Sequence, residues 1–293
     1  MRVLHLDAGK TMRGGQWQVL RLIDGLLSAG VECTLLARPG SPLFTAASRR
    51  GWRVEPLGLM RAMRLARQHD VMHVHDARSH TIGALIPGAP LVVARRVAFA
   101  VRSRWKYGRA RCYIAVSECV KSVLMAGGVP DGKIVVVYDG VPLLEPARGA
   151  TVLTLANADD PQKGASMAIE AARIAGVPLT LTVDLERDLR EARLFLYISH
   201  GEGLGSAALL AMSAAVPVIA SDVGGLREVI HHRENGLLVA NSPAAIAVAI
   251  REIHANPGLA TRLGLEARRT VEERFTTAVM VRRTLETYPR VLS

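Results

Sequence analysis

The amino-acid sequence predicts an α/β protein made of two halves, each a parallel sheet covered by helices on both faces. Short β-branched runs alternate with helix-length segments from one end of the chain to the other. The strand candidates are apolar almost throughout, as strands buried on both sides must be. One stretch, "DGVPLLEPARGA", holds two prolines and two glycines with no periodicity, and it divides the series in two.

The first half opens on the strand "RVLHL", followed by "QWQVLRLIDGLLSAG", an amphipathic helix closed by Gly30. "VECTLLA", "WRVEPL", "VMHVH", "PLVVA" and "CYIAV" continue as strands with helical segments between them, and "KIVVVYDGV" closes the half. The second half runs "TVLTLA", a helix over about Ala165–Ala175, "PLTLTV", "LFLYIS", a helix after Gly205, "VPVIAS" and "NGLLV". From Pro243 onward the pattern is helical. The expected organisation is a Rossmann-like domain over 1–142, a linker over 143–150 and a second Rossmann-like domain over 151–275. A helix over 276–293 then packs back on the first domain. Ligands of such folds bind outside the carboxyl ends of the strands, so the loops of the two halves are expected on either side of one cleft.

Composition bounds the function. The chain has 293 residues, 49% hydrophobic and 22% charged, enough for two medium domains with real cores. At 4% aromatic it lacks the exposed rings of a single-strand stacking platform. The net charge of +11 comes mostly from arginine, whose planar fork suits phosphate and carboxylate. That excess fits nucleic acid, an anionic membrane surface or a phosphorylated substrate, and equally a GC-rich genome. Cys33, Cys112 and Cys119 are odd in number and sit among apolar neighbours without a CxxC, as reduced thiols of a cytoplasmic protein do. "MRVLHLDAGK" reads as a strand entering a polar loop rather than a signal peptide. The longest apolar run, Ala207 to Ala220, is too short for a bilayer and contains Pro217.

Four loops carry candidate chemistry. In "GKTMRGGQWQ", Gly14 and Gly15 precede a helix and serve either a tight turn or the close approach of an anion; neither a P-loop nor GxGxxG is satisfied. In "HVHDARSH", His73 and His75 share a strand face, and a metal would need a further ligand such as Asp76 or His80. No metal is expected, and His75 and Asp76 at the strand's carboxyl end are read as cleft residues. In "PQKGAS", Lys163 and Gly164 open a helix, either as a phosphate clamp or as solvated surface. In "HGEGLGS", Glu202 stands beside Gly203, Leu204 and Gly205, and the next helix starts near Ser206. There an acid and free amides converge, and a ligand explains the combination better than helix capping does.

These residues resemble a known family. "GEGLGSAALLAMSAAVPVIASDVGGLREVIHHRENGLLV" is similar to the C-terminal signature of family four retaining glycosyltransferases of GT-B fold (glycosyl transferases group 1), here in a short variant. "AVSECVKSVLMAGGVPDGKIVVVYDGV", "PQKG" and "RGGQWQVLRLIDGL" extend the similarity over most of the chain. The resemblance implies sugar transfer from an activated, nucleoside diphosphate donor, with retained anomeric configuration and without a metal or other cofactor. Glu202 would hold donor sugar hydroxyls, and the amides of Gly203 to Gly205 would lie near sugar and diphosphate. Lys163, Gly164 and Ser206 would meet the phosphates, and Gly14 and Gly15 would form the N-terminal glycine loop.

The chain departs from the family's pattern at several places. A ribose-binding glutamate usually stands eight residues after the first; here that position is Leu210. An arginine usually stands five residues before the lysine; here it is Ala158. Where a first-domain strand often ends in histidine, "VVARRV" places Arg95 and Arg96, and the stretch from Lys163 to Glu202 is short. The expectation is a cytoplasmic transferase, with membrane-peripheral contact, acting on a glycan or lipid-linked acceptor of a bacterial surface polysaccharide. The positive charge would favour an anionic leaflet. The alternative is a non-catalytic sugar- or nucleotide-binding protein with a degenerate donor site. A nucleotide-sugar epimerase fits the EGxG loop less well, and no nucleic acid partner is expected because no groove-reading motif is present.

Overall fold

A computed structural model of the chain describes residues 1–156 and 163–292. The chain divides into two compact units, Met1–Gly140 with Thr277–Ser293, and Val141–Thr276.

The first unit begins β1 (Arg2–Asp7), α1 (Gly14–Ser28), β2 (Glu32–Ala37), α2 (Pro42–Arg49), β3 (Arg53–Pro56) and α3 (Leu59–Ala66). It continues β4 (Val71–Val74), α4 (Ala77–Leu85), β5 (Leu91–Arg95), α5 (Arg104–Gly108), β6 (Cys112–Ala115), α6 (Glu118–Ala126) and β7 (Ile134–Val136). Its sheet has the order β3-β2-β1-β4-β5-β6-β7, with every pairing parallel. The second unit begins β8 (Thr151–Leu155), α7 (Ala165–Ala175), β9 (Thr180–Thr182), α8 (Leu185–Asp188), β10 (Ala192–Tyr197) and α9 (Ser206–Ser213). Then come β11 (Val218–Ser221), α10 (Leu226–Val229), β12 (Leu237–Val239), α11 (Pro243–Ala255) and α12 (Pro257–Arg274). Its five-stranded sheet, β12-β11-β10-β8-β9, is also parallel. Strand order reverses between β1 and β4 and again between β8 and β10, and a doubly wound sheet opens its crevice at such points.

Local chemistry explains where the helices start. Ser41 accepts from Phe44 N before Pro42, Ser242 accepts from Ala245 N before Pro243, and Asn256 accepts from Leu259 N before Pro257. Each pairs an N-cap side chain with a proline whose missing N–H is not needed. Strands β1 and β4 are buried along almost their whole length, in keeping with cover on both faces. The edge strand β9 is shorter than "PLTLTV" and two of its residues are exposed, because an edge strand is paired on one side only. Likewise β7 keeps only three residues of "KIVVVYDGV". Residues 143–150, expected as a linker, are bonded within the second unit: Ala147 N donates to Ala214 O and Arg148 N to Arg190 O.

Helices α13 (Thr277–Thr287) and α14 (Pro289–Leu292) belong to the first unit. α13 packs on α1, where Gly25 faces Val281 with no room for a Cβ. Tyr288 is fully buried, and its hydroxyl hydrogen-bonds His73 Nδ1 at 2.9 Å. Met280 Sδ accepts from Gly140 N at 3.2 Å. Among the described residues no helix is long and apolar enough to cross a membrane. Burial raises the thiols of Cys33 to about 12 and Cys112 to about 11, which makes both unreactive.

Replacing Tyr288 by Phe strips His73 of its partner in a buried place and should lower the unfolding free energy in urea by about 1–2 kcal/mol. Tyr288→Ala adds a cavity and should lower it by about 3–5 kcal/mol.

Candidate functional site

At the carboxyl end of β10 the second unit gathers its charged groups. The backbone of Lys163 forms an antiparallel bridge with Ser199, and Gly164 N donates to Ile198 O at 2.9 Å. A Cβ at Gly164 would strike Ile198 Cγ2, so the glycine lets the start of α7 lie against the strand. Lys163 thereby reaches Glu202, and the two form an ion pair with side chains only 21% and 13% exposed. Tyr197, the last residue of β10, donates from its hydroxyl to Glu202 Oε1 at 2.9 Å, and Lys163 Nζ lies 5.4 Å from the Tyr197 ring centroid. Burial pushes the Tyr197 phenol upward, so it stays protonated and remains a donor.

The loop holding Glu202 is fixed by backbone contact. Gly225 N donates to Glu202 O at 3.1 Å, and a Cβ on Gly225 would meet the Gly203 carbonyl. Leu204 is buried as the loop's apolar anchor. Gly205, at φ 102°, turns the chain into α9 against Leu226 and Tyr197, and Ser206 is the first helical residue. The neighbouring strand ends are tied together. Ser199 N donates to Ser221 Oγ, which donates to Asn241 Oδ1, and Asn241 Nδ2 donates back to Ser199 O. Leu210 is buried on α9 at 6% exposure. Ala158 lies outside the described residues.

The first unit builds a second polar cluster at the ends of β1, β4 and β5. Asp76 caps α4, accepting from Arg78 N and Ser79 N, and its other oxygen accepts from Ala8 N at 2.6 Å. Asp7 accepts from Gly9 N and Gln16 Nε2, and burial together with the neighbouring Asp76 charge raises its pKa. Arg96 donates to Asp139 at 3.1 Å, both nearly buried. Arg96 Nη1 is 3.5 Å from His75 Nδ1. Arg95 points its guanidinium over the Tyr107 ring, 5.9 Å from the centroid. Gly14 and Gly15 open α1, and a Cβ at Gly15 would come to 3.9 Å from Arg96.

His5, His73 and His75 form one buried cluster, with ring nitrogens all within 4.8 Å of one another. The third member is His5 rather than Asp76 or His80. A guanidinium only donates, so His75 Nδ1 is the acceptor and its Nε2–H donates to His5 Nδ1 at 3.0 Å. Burial lowers His5 to about 3 and holds His73 and His75 well below the usual range, so all three are neutral. The three neutral rings pack against one another beside the Arg96 cation, His5 bonded to His75 and His73 to the Tyr288 hydroxyl.

Of the residues singled out from the sequence, Lys163, Gly164, Glu202, Gly203, Leu204, Gly205 and Ser206 converge on one loop cluster of the second unit. In the first unit Gly15 and His75 lie beside Arg96, Gly14 opens the same helix as Gly15, Asp76 holds Ala8 N, and Arg95 lies over the Tyr107 ring instead. His75 is 6% exposed, and the Asp76 carboxylate is spent on backbone amides. Sequence reasoning missed Tyr197, Asp7, Gln16 and Asp139. Only Asp7, the acid ending the first strand, carried a visible signal.

Comparison with solved structures defines the class. The crystal structure of Anabaena Alr3699/HepE in complex with UDP and glucose matches with a TM-score of 0.88 at 17% identity, covering 99% of each chain. The architecture is that of the GT-B glycosyltransferases. Residues 12–144 match the family described as Glycosyltransferase Family 4, and residues 121–256 match Glycosyl transferases group 1. Together the two matches span residues 12–256, and the chain carries a Glycosyltransferase Family 4 domain followed by a Glycosyl transferases group 1 domain. The α-maltose-1-phosphate synthase of Mycolicibacterium smegmatis is 38% identical over 110 residues, 35% of this chain and 28% of that protein. The Mycobacterium tuberculosis protein of the same name is 31% identical over 155 residues, 48% of this chain and 40% of that one. The chain therefore matches less than half the length of either relative.

Two outcomes follow from this geometry. Gly225→Ala drives a methyl into the Gly203 carbonyl and should destabilise the second unit by about 1–3 kcal/mol, read as a lowered thermal midpoint. The buried histidines titrate below their unfolded value near 6.5, so the unfolded chain takes up protons first as pH falls. Their stabilisation is complete above that value and declines as pH drops from 6.5 toward about 3, where His5 and His80 titrate in the folded state. Well below 6.5 the slope should reach about 1.4 kcal/mol per pH unit for each histidine. Urea midpoints that stay flat between pH 7 and 5 would contradict neutral buried imidazoles.

Proposed function

We propose that the protein is a retaining glycosyltransferase, moving a sugar from a nucleoside diphosphate donor to a glycan or lipid-linked acceptor in bacterial surface polysaccharide synthesis. The observation that carries this reading is the Lys163–Glu202 pair beside the N-terminus of α9, at the switch point between β8 and β10. Unliganded, the ammonium and carboxylate neutralise each other. A donor separates them, its diphosphate taking Lys163 and its sugar hydroxyls taking Glu202. The amides of Gly203 to Gly205 and the Ser206 hydroxyl then face the phosphates, with Gly164 opening the second helix toward them. A structural neighbour holding UDP and glucose supports a nucleotide-sugar donor, and relatives named as α-maltose-1-phosphate synthases fit work on sugars.

The bond from the anomeric carbon to the phosphate oxygen breaks, and the acceptor oxygen adds on the same face. The acceptor's proton passes to the departing phosphate. No enzymic nucleophile enters, so the protein's work is positioning and stabilising the leaving charge. In this reading Lys163 and the helix amides supply that stabilisation without a metal. Residues 151–275 are the donor domain and 1–142 the acceptor side. There Gly14 and Gly15 leave open backbone near Arg96, and His75, Asp76, Arg95 and Arg96 hold the acceptor loops in shape. The reaction is placed in the cytoplasm.

A second reading rests on Leu210: a buried leucine in place of a ribose-binding acid favours a binding protein without transfer. Thermal-shift measurement with a panel of nucleoside diphosphates and their sugars separates the two, followed by a transfer and hydrolysis assay. Lys163→Ala should weaken nucleoside diphosphate binding by about tenfold to a hundredfold, the worth of one charge-assisted hydrogen bond. Glu202→Ala should spare the bare nucleotide and erase the added stabilisation from the sugar. Stabilisation by no nucleotide would remove the donor assignment, and binding without turnover would favour the second reading.

A further inference from the structure

The stretch that leaves β5 and includes α5, "VAFAVRSRWKYGRAR" over residues 97–111, contains four arginines, one lysine and no acid. It also exposes large apolar side chains: Val97 is 40% exposed, Phe99 62% and Trp105 56%. The segment is built onto the first unit. Lys106 Nζ donates to Ala77 O at 2.7 Å, the Tyr113 hydroxyl donates to Tyr107 O at 2.7 Å, and Val101 sits against Gly127. These anchors leave Phe99 and Trp105 outward. Among the described residues no acid pairs with Arg102 or Arg104.

We infer that residues 97–111 form a docking face for an anionic lipid surface, with Phe99 and Trp105 entering the headgroup–acyl boundary and the arginines meeting lipid phosphates. A tryptophan and a phenylalanine set among uncompensated cations match the interfacial layer, which offers apolar depth and negative charge together. The exposed aliphatic Val97 of the same segment suits acyl chains better than stacked bases. The face borders the acceptor-side cluster, since its first residue follows Arg96 and Lys106 holds the carbonyl of Ala77, next to Asp76. That it brings the enzyme to a lipid-linked acceptor rests on the proposed function; the lipid binding does not.

The test is co-sedimentation of the full chain with phosphatidylglycerol–phosphatidylethanolamine vesicles and with phosphatidylcholine vesicles, without donor or acceptor. Binding should require the anionic lipid and weaken with salt. Arg102→Gln with Arg104→Gln should lose about 25-fold, roughly fivefold for each charge. Phe99→Ser and Trp105→Ser should each lose about tenfold or more, while Val248→Ser and Leu265→Ser, exposed in the second unit, should change nothing. Should a serine variant fail to fold, the unmutated chain still reports: brominated lipid should quench tryptophan emission, and Trp105→Phe should abolish that quenching. No vesicle binding, binding indifferent to these variants, or quenching that survives Trp105→Phe would overturn the assignment. So would tighter binding of a single-stranded oligonucleotide lost through the same substitutions. Failure of donor binding would leave these results as they stand.

Discussion

The hydrogen bond from Gly164 N to the Ile198 carbonyl sets the geometry of the loop cluster at the carboxyl end of β10. With the Lys163–Ser199 bridge beside it, this contact brings together two residues 39 positions apart, so that a lysine at a helix start meets a carboxylate on a strand-end loop. The contact needs a residue without a Cβ and a strand end held still. Gly164 supplies the first; the Ser199–Ser221–Asn241 network supplies the second, fastening the end of β10 to the end of β11 and the loop after β12. The turn at Gly224 and Gly225 then presses backbone to backbone on the loop holding Glu202. Close approach of bare peptide groups, rather than side-chain packing, sets the geometry.

Both units hold a nearly buried ion pair at a strand end, and the two are supported differently. Lys163–Glu202 is braced by a phenol that stays protonated, and it remains partly open to solvent. Arg96–Asp139 is the more enclosed, and burial raises the Asp139 pKa against the pull of Arg96. Desolvating two charges is repaid only when their remaining hydrogen-bonding capacity is met. In the proposed reading the partly hydrated pair is the one a donor separates, while the enclosed pair belongs to the scaffold.

Much of this was legible in the sequence for identifiable physical reasons. Alternating apolar runs declare parallel strands, because that pattern depends on neighbours along the chain. Glu202 stood out through the glycines beside it, and Lys163 through the glycine after it. Tyr197 was hidden inside an apolar strand, where nothing local distinguishes a phenol reaching a carboxylate from a packed ring. The third histidine was hidden too. His5 faces His73 because β1 pairs with β4 in that register, and the register emerges only when the sheet forms. Asp139 drew no notice because its partner, Arg96, is 43 residues away.

The closing helices of the first unit have a consequence for biosynthesis. The second unit is continuous, Val141–Thr276, whereas the first is completed by Thr277–Ser293. On the ribosome, a nascent chain emerging from its amino end presents a seven-stranded sheet long before α13 and Tyr288 exist to cover α1 and His73. The later-made unit can close while the earlier-made one waits, with apolar surface on α1 bare in the meantime. Translation therefore delivers the helices that complete the first unit only after the whole of the second has been made.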